Sequence, residues 1–265
     1  VKWDCGYDYQ RGEYIEMEKV LKYSVLRYSP STISGEKINL GIIFYDEVSN
    51  YRKFRYTKKF SRLTNFDDEL DIHIIRKLLS GIKDDIEGNR YLEQKFDIDE
   101  YTKYYVNDFC FDKPRMIKYD DLEQITEQLH KTYFRFDYSK DDRPSKDDDK
   151  KIIEQLICTK GKKVKRDSYI YGASHEKIKV DLMTEDCYIK IFDFDGKNLN
   201  KLINSAKTWA WNCMFGDASK MMIIYRYNDL DSKYNEEFEI IMDIFKKSKA
   251  KIYDIEEGIQ YLQAI

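Results

Sequence analysis

Five cations fall within seven positions at Lys160-Gly161-Lys162-Lys163-Val164-Lys165-Arg166. A run of this density can contact several phosphates at once, so Lys162, Lys163, Lys165 and Arg166 are candidate nucleic-acid contacts. The plainer alternative is a solvated basic loop. A second constellation sets Arg27 and Glu36 on either side of a turn, with Asn39 and Gly41 just beyond it. It reads either as a buried ion pair that fixes the loop or as a small ligand or peptide site. The third is aromatic. Trp209 and Trp211 share a predicted helix but point about 200° apart. Trp209 lines up with Leu202 and Ala206 as core, whereas Trp211 faces another surface or a partner. Exposed tryptophans concentrate binding energy at interfaces, so Trp211 and Arg27 are the candidate partner-binding residues.

Other chemistries lack their residues. The chain shows no Ser/His/Asp set, no glycine-rich phosphate loop and no nucleotide fingerprint. Asp193-Phe194-Asp195-Gly196 begins like a calcium loop but lacks the later spaced acids. Five dispersed cysteines without a C-x-x-C spacing suggest reduced thiols, against a disulfide framework or structural zinc. The three histidines are equally scattered. With 46 basic and 49 acidic residues the net charge is -3, which excludes a wholesale polycation and requires any nucleic-acid contact to come from a local patch. A mean hydropathy of -0.72 and no apolar run near the roughly 20 residues of a membrane span lead to the expectation of a soluble, cytoplasmic protein with no membrane partner. The 23 tyrosines suit half-buried strands and interfaces.

These residues need elements to position them. In the first part, the stretches Tyr23–Pro30 and Gly35–Tyr45 read as two alternating strands joined by a turn-rich loop, Tyr51–Tyr56 adds a third, and apolar spacing predicts helices over Asp71–Ile86 and Leu122–Tyr133. Tyr133–Tyr138 reads as a last short strand. Sheet and helices without regular alternation predict an α+β domain over 1–138. The run Tyr23-Ser24-Val25-Leu26-Arg27-Tyr28-Ser29-Pro30, then Gly35-Glu36-Lys37-Ile38-Asn39-Leu40-Gly41, resembles the hallmark Tyr-x-Val-Leu-Arg-Tyr-x-Pro and Gly-Glu-x-x-Asn-x-Gly of an uncharacterised bacterial domain-of-unknown-function family. The resemblance covers roughly residues 20–135 and implies a fold lineage without assigned chemistry.

Residues 139–149 carry charges, a proline and no apolar side chain, and are expected to be a solvated linker. Beyond it, residues 150–265 predict an α/β domain of order α-β-β-β-α-β-α-β. That order resembles a divergent PD-(D/E)XK nuclease-like fold. The resemblance implies that Asp181 holds a divalent metal from the end of the second strand and that Lys190 positions the attacking water, making these two the catalytic candidates. Tyr188 stands where the family carries its second acid, so Glu176, Glu185, Asp186, Asp193 or Asp195 would have to substitute. The resemblance therefore implies weak or no nuclease activity. No cofactor is required, and Mg²⁺ or Mn²⁺ is needed only if the site is active.

The expected function is that of a bacterial or phage conflict-system protein, in defence or counter-defence, that engages nucleic acid through an inactive nuclease-like domain. The setting comes from the resemblances: genes of the first family often lie beside kinase-like genes of toxin systems, and nuclease-like folds are frequent in such conflicts. The rival is a non-enzymatic module that inhibits or scaffolds a protein partner through an aromatic-rich surface.

Overall fold

A computed structural model of the chain describes residues 5–8, 13–16, 19–30, 36–91, 95–103, 108–172, 175–194, 199–215, 220–226 and 235–264. The chain divides into two compact units, Val1–Pro144 and Ser145–Ile265. Gly35 and Asp195 lie outside the described residues.

In the first unit a hairpin of β1 (Cys5–Asp8) and β2 (Glu13–Glu16) precedes β3 (Val20–Tyr28), β4 (Ile38–Asp46) and β5 (Tyr51–Tyr56). Helices α1 (Ser61–Phe66), α2 (Ile72–Glu87) and α3 (Ile98–Lys103) follow. Then come β6 (Phe109–Phe111), β7 (Arg115–Lys118) and α4 (Leu122–Tyr133). The antiparallel sheet runs β5-β4-β3-β6, with β7 also paired to β3. Strand β3 lies inside the sheet and is covered on both faces, so alternating residues are buried alike: Tyr23, Ser24, Val25 and Leu26 are all closed to solvent.

Local rules explain the helices. Asp71 accepts from the backbone N–H groups of His73 and Ile74 and so starts α2. Its stripe Ile75, Leu79, Ile82 and Ile86 then packs into the core with Leu26, Ile43 and Phe54. The β3–β4 register shifts at Leu26/Arg27. Beside that bulge, a Cβ on Gly41 would lie 2.2 Å from the Phe54 ring, so only glycine lets the ring lie across the strand.

Two expectations are corrected here. Residues 133–138 form no strand: Arg135–Asp137 is a single 3₁₀ turn. Asp137 accepts from Thr57 Oγ1 at 2.9 Å and from the Lys58 N–H at 2.7 Å, which turns the segment onto the end of β5. The charged segment 139–149 is also more structured than a solvated linker. Pro144 is buried and its carbonyl accepts from Arg135 Nη1 at 2.7 Å. Ser145 and Asp148 form a reciprocal capping box that starts a helix at Lys146.

The second unit runs α5 (Lys146–Cys158), β8 (Lys165–Tyr171), β9 (Lys177–Met183), β10 (Tyr188–Asp193), α6 (Leu199–Phe215), β11 (Met221–Arg226), α7 (Asn235–Lys246), β12 (Lys251–Asp254) and α8 (Ile255–Ala264). The sheet order is β12-β11-β10-β9-β8. The first three strands form an antiparallel meander, and β10, β11 and β12 are parallel. Helices α6 and α7 cover one face around Val180, Phe192, Trp209 and Phe245. Helices α5 and α8 contact each other, with α5 against β9 and α8 against β11. Strand β8 is an edge and begins at Lys165, so the basic run is only partly a loop: Lys165 and Arg166 belong to the sheet.

Candidate nucleic-acid interface

Asp181 and Lys190 come together as their strand positions imply. The ladder pairs Ile189 with Leu182, which sets Lys190 opposite Asp181, and Lys190 Nζ lies 3.2 Å from Asp181 Oδ2. The same oxygen accepts from the Ile191 N–H at 2.9 Å, so the carboxylate stands in for a ladder acceptor. The other oxygen belongs to Lys150 of α5, at 2.9 Å. Lys150 also reaches Asp167 Oδ1 at 3.3 Å, and Lys179 pairs with that atom at 3.0 Å. Asp167 has a left-handed φ of 46°. The β8–β9 ladder pairs Arg166 with Leu182 and Ser168 with Val180 but leaves the step at Asp167 and Asp181 unbridged. Lys150 thus clamps a kink in the hairpin. Burial opposes its ammonium, but the two carboxylates outweigh that and hold its pKa above the usual lysine value.

This donor set does not fit a divalent cation. Both Asp181 oxygens are taken by ammonium groups, and Lys150 occupies the side where a metal would need a second acid. Tyr188 supplies a phenol, a poor ligand for a hard cation. The proposed substitutes sit elsewhere: exposed Asp186 pairs with Lys162 at 3.1 Å, and the Glu176 carboxylate folds over Gly172 in the β8–β9 turn. Glu185 is exposed in the β9–β10 turn, and Asp193 is buried at the end of β10. Among the described residues no group of three or more His, Cys, Asp or Glu could hold a metal ion. Lys190 is not an exposed strand lysine. It is largely buried, 5.4 Å from the Trp209 ring centre.

The four basic candidates divide. Lys162 is tied to Asp186, and Arg166 Nε is tied to Glu154 at 2.9 Å. Lys163 and Lys165 are exposed. The surface that sequence reading missed continues from them. On the β8–β9 hairpin Tyr169 pairs in register with Lys179, and Tyr171 with Lys177. All four are exposed, Tyr169 at 59% and Tyr171 at 68%. The alternation Tyr169-Ile170-Tyr171 could have flagged it, but the cross-strand lysines follow only from the register.

The first unit spends its polar motif residues internally. Arg27 Nη2 donates to Asp112 Oδ2 at 2.7 Å and its side chain is only 12% exposed, which leaves little of it for a partner. Arg115 Nη1 donates to the Tyr133 hydroxyl at 2.8 Å, Tyr23 meets that hydroxyl at 3.3 Å, and Asn39 Nδ2 donates to the Tyr133 carbonyl at 3.0 Å. Tyr23, Arg27 and Asn39 of the hallmark therefore hold the sheet, the β6–β7 turn and the end of α4 together. Burial pushes the Tyr23 hydroxyl well above its ordinary pKa, so it stays a neutral hydrogen-bonding group.

Trp209 is core and Trp211 is 61% exposed, as their helical spacing predicts. Cys187 and Cys213 are buried free thiols. Burial raises both pKa values, that of Cys213 to about 12, which suppresses thiolate chemistry. Among the described residues no helix is long and apolar enough to cross a membrane.

Neither a curated protein nor a solved structure matches the chain. Residues 23–133, which carry the Tyr23–Asn39 polar motif and end at Tyr133, match the family model described as a protein of unknown function (DUF3037).

Proposed function

We propose that the second unit engages single-stranded nucleic acid through the β8–β9 hairpin and cuts nothing. The observation that carries this reading is the register of exposed Tyr169 with Lys179 and exposed Tyr171 with Lys177. Bases stack on aromatic side chains while neighbouring cations follow the phosphates, the combination that binds single strands without sequence preference. Exposed Lys163 and Lys165 extend the cationic track along the same edge. The nuclease-like element order supports a divergent member of that fold, in which Lys150 and Lys190 neutralise Asp181 without metal. A bacterial or phage conflict setting is supported by analogy alone.

The test is fluorescence anisotropy with a labelled oligothymidylate, at low salt, on the full chain. Alanine at Tyr169 or Tyr171 is expected to cost about 1–3 kcal/mol each. Alanine at Lys177 should flatten the salt dependence by about one phosphate contact, and alanine at Lys179, which is paired with Asp167, by less. No binding at low salt, or binding indifferent to all four changes, overturns the reading.

A second reading, a protein-partner module, is favoured by one observation. Trp211 and Met214, three residues apart on α6, are both exposed, at 61% and 39%. Apolar side chains at that spacing share a helix face. Capture of a host protein that survives nuclease treatment and is lost in Trp211→Ala would favour it over nucleic-acid engagement.

A further inference from the structure

A cavity of about 280 Å³ lies between the β8 edge and α6. Its position on the sheet follows from register. Tyr188 is paired with Met183 on one side and with Met221 on the other, so a phenol flanked by two thioethers crosses three strands. Ile170 and Ile178, themselves a register pair, continue the lining, and Asn212 enters from α6. Tyr169 and Tyr171 complete the lining, so the cavity mixes apolar surface with three phenols and the Asn212 amide. Neither the Asn212 amide nor the Tyr188 hydroxyl makes a hydrogen bond among the described residues, although both residues are half-buried.

The chemistry of the lining selects its occupant. Two methionines and a tyrosine offer polarisable, adaptable surface to a flat ring. The free amide offers one donor and one acceptor side by side, matching the paired acceptor and donor on the edge of a base; asparagine reads adenine in this way. The volume is near the low end of small-molecule pockets, about 300–1,000 Å³, which suits one ring system and not a dinucleotide. A cation stands beside it: Lys220 Nζ lies 5.9 Å from the Tyr188 ring centre.

We infer that this cavity receives a single unpaired nucleobase, with Asn212 reading its edge and Lys220 meeting the attached phosphate. The inference rests on the proposed engagement of single strands, and adds a seat for one base beside the exposed tyrosines.

The experiment is a calorimetric titration of the full chain with adenosine 5′-monophosphate and, separately, with ribose 5-phosphate, which lacks the base. Expected is binding of the nucleotide only. Asn212→Leu should weaken it by about 5- to 150-fold, the range for one bidentate base contact. Tyr188→Phe should weaken it less, and both variants should keep the parent's unfolding midpoint. Equal binding of the two ligands, no nucleotide binding, or binding unaffected by Asn212→Leu overturns the inference. Oligothymidylate binding that still depends on Tyr169 and Tyr171 would then leave the hairpin reading standing. Nucleotide binding without oligonucleotide binding would remove the hairpin reading and keep the cavity.

Discussion

Lys150 on α5 grips Asp181 on β9 across 2.9 Å, with both side chains less than a tenth exposed. A buried carboxylate left alone is costly, and a cation supplied by a helix spares it. The same contact takes the oxygen that a divalent metal would need. One lysine thus braces the kinked hairpin.

Removing that lysine should be severe. Lys150→Met leaves Asp181 and Asp167 short of a partner and is expected to destabilise the second unit by about 3–5 kcal/mol, the usual cost of breaking a buried pair. The double change Lys150→Met with Asp181→Leu should recover most of the loss. Urea unfolding of the parent and both variants checks this, and an unaffected single variant would show the pair to be dispensable.

Metal should do little. Because both Asp181 oxygens are occupied by ammonium groups, millimolar Mg²⁺ or Mn²⁺ is expected to leave the thermal midpoint unmoved and to give no cleavage of DNA or RNA. A midpoint that rises and saturates with Mn²⁺, and stops doing so in Asp181→Asn, would reveal a cation site. Asp181→Asn is the suitable probe, since it removes the charge a divalent cation needs while keeping the side chain's size and one oxygen acceptor, which Asp181→Ala would not.

His130 makes the first unit acid-sensitive. Burial, with the Arg55 guanidinium adding to it, pushes its pKa down to about 4, and the ring stacks on Phe134. Above about pH 6.5 both folded and unfolded chains hold the ring neutral. As pH falls from there towards 4, the unfolded chain takes the proton first, so stability drops, by about 3 kcal/mol in all at 1.36 kcal/mol per pH unit. An NMR titration should place the His130 ring near 4, and His130→Phe should shallow the pH slope of stability over that window. An ordinary titration near 6.5 would contradict the burial argument.

Gly41→Ala should be destabilising although it adds one methyl group. The new Cβ meets the Phe54 ring at 2.2 Å, and overpacking of this kind costs about 1–3 kcal/mol. Phe54→Leu in the same chain should relieve part of the clash, so the two changes together should cost less than their sum. Simple additivity in thermal unfolding would place the strain elsewhere.

The sequence by itself determined what is local. Apolar spacing placed α2 and α4 to within a residue, because a helix buries one stripe. Helical rotation alone separated buried Trp209 from exposed Trp211. Local patterning also gave the α-β-β-β-α-β-α-β order of the second unit, but only the β9–β10 register set Lys190 opposite Asp181. Other relationships join residues far apart along the chain, where no period or cap connects them. Lys150 looked like any charge at a helix start until α5 packed on β9 and brought it to Asp181. Exposed Tyr169 and Tyr171 stand beside Lys179 and Lys177 only because the β8–β9 register puts them there. Arg27 found Asp112, 85 positions away, because the sheet lays β6 along β3. Tertiary structure decided these partners for a physical reason: a buried charge is satisfied by whatever packing brings within about 3 Å, and packing is a property of the whole unit.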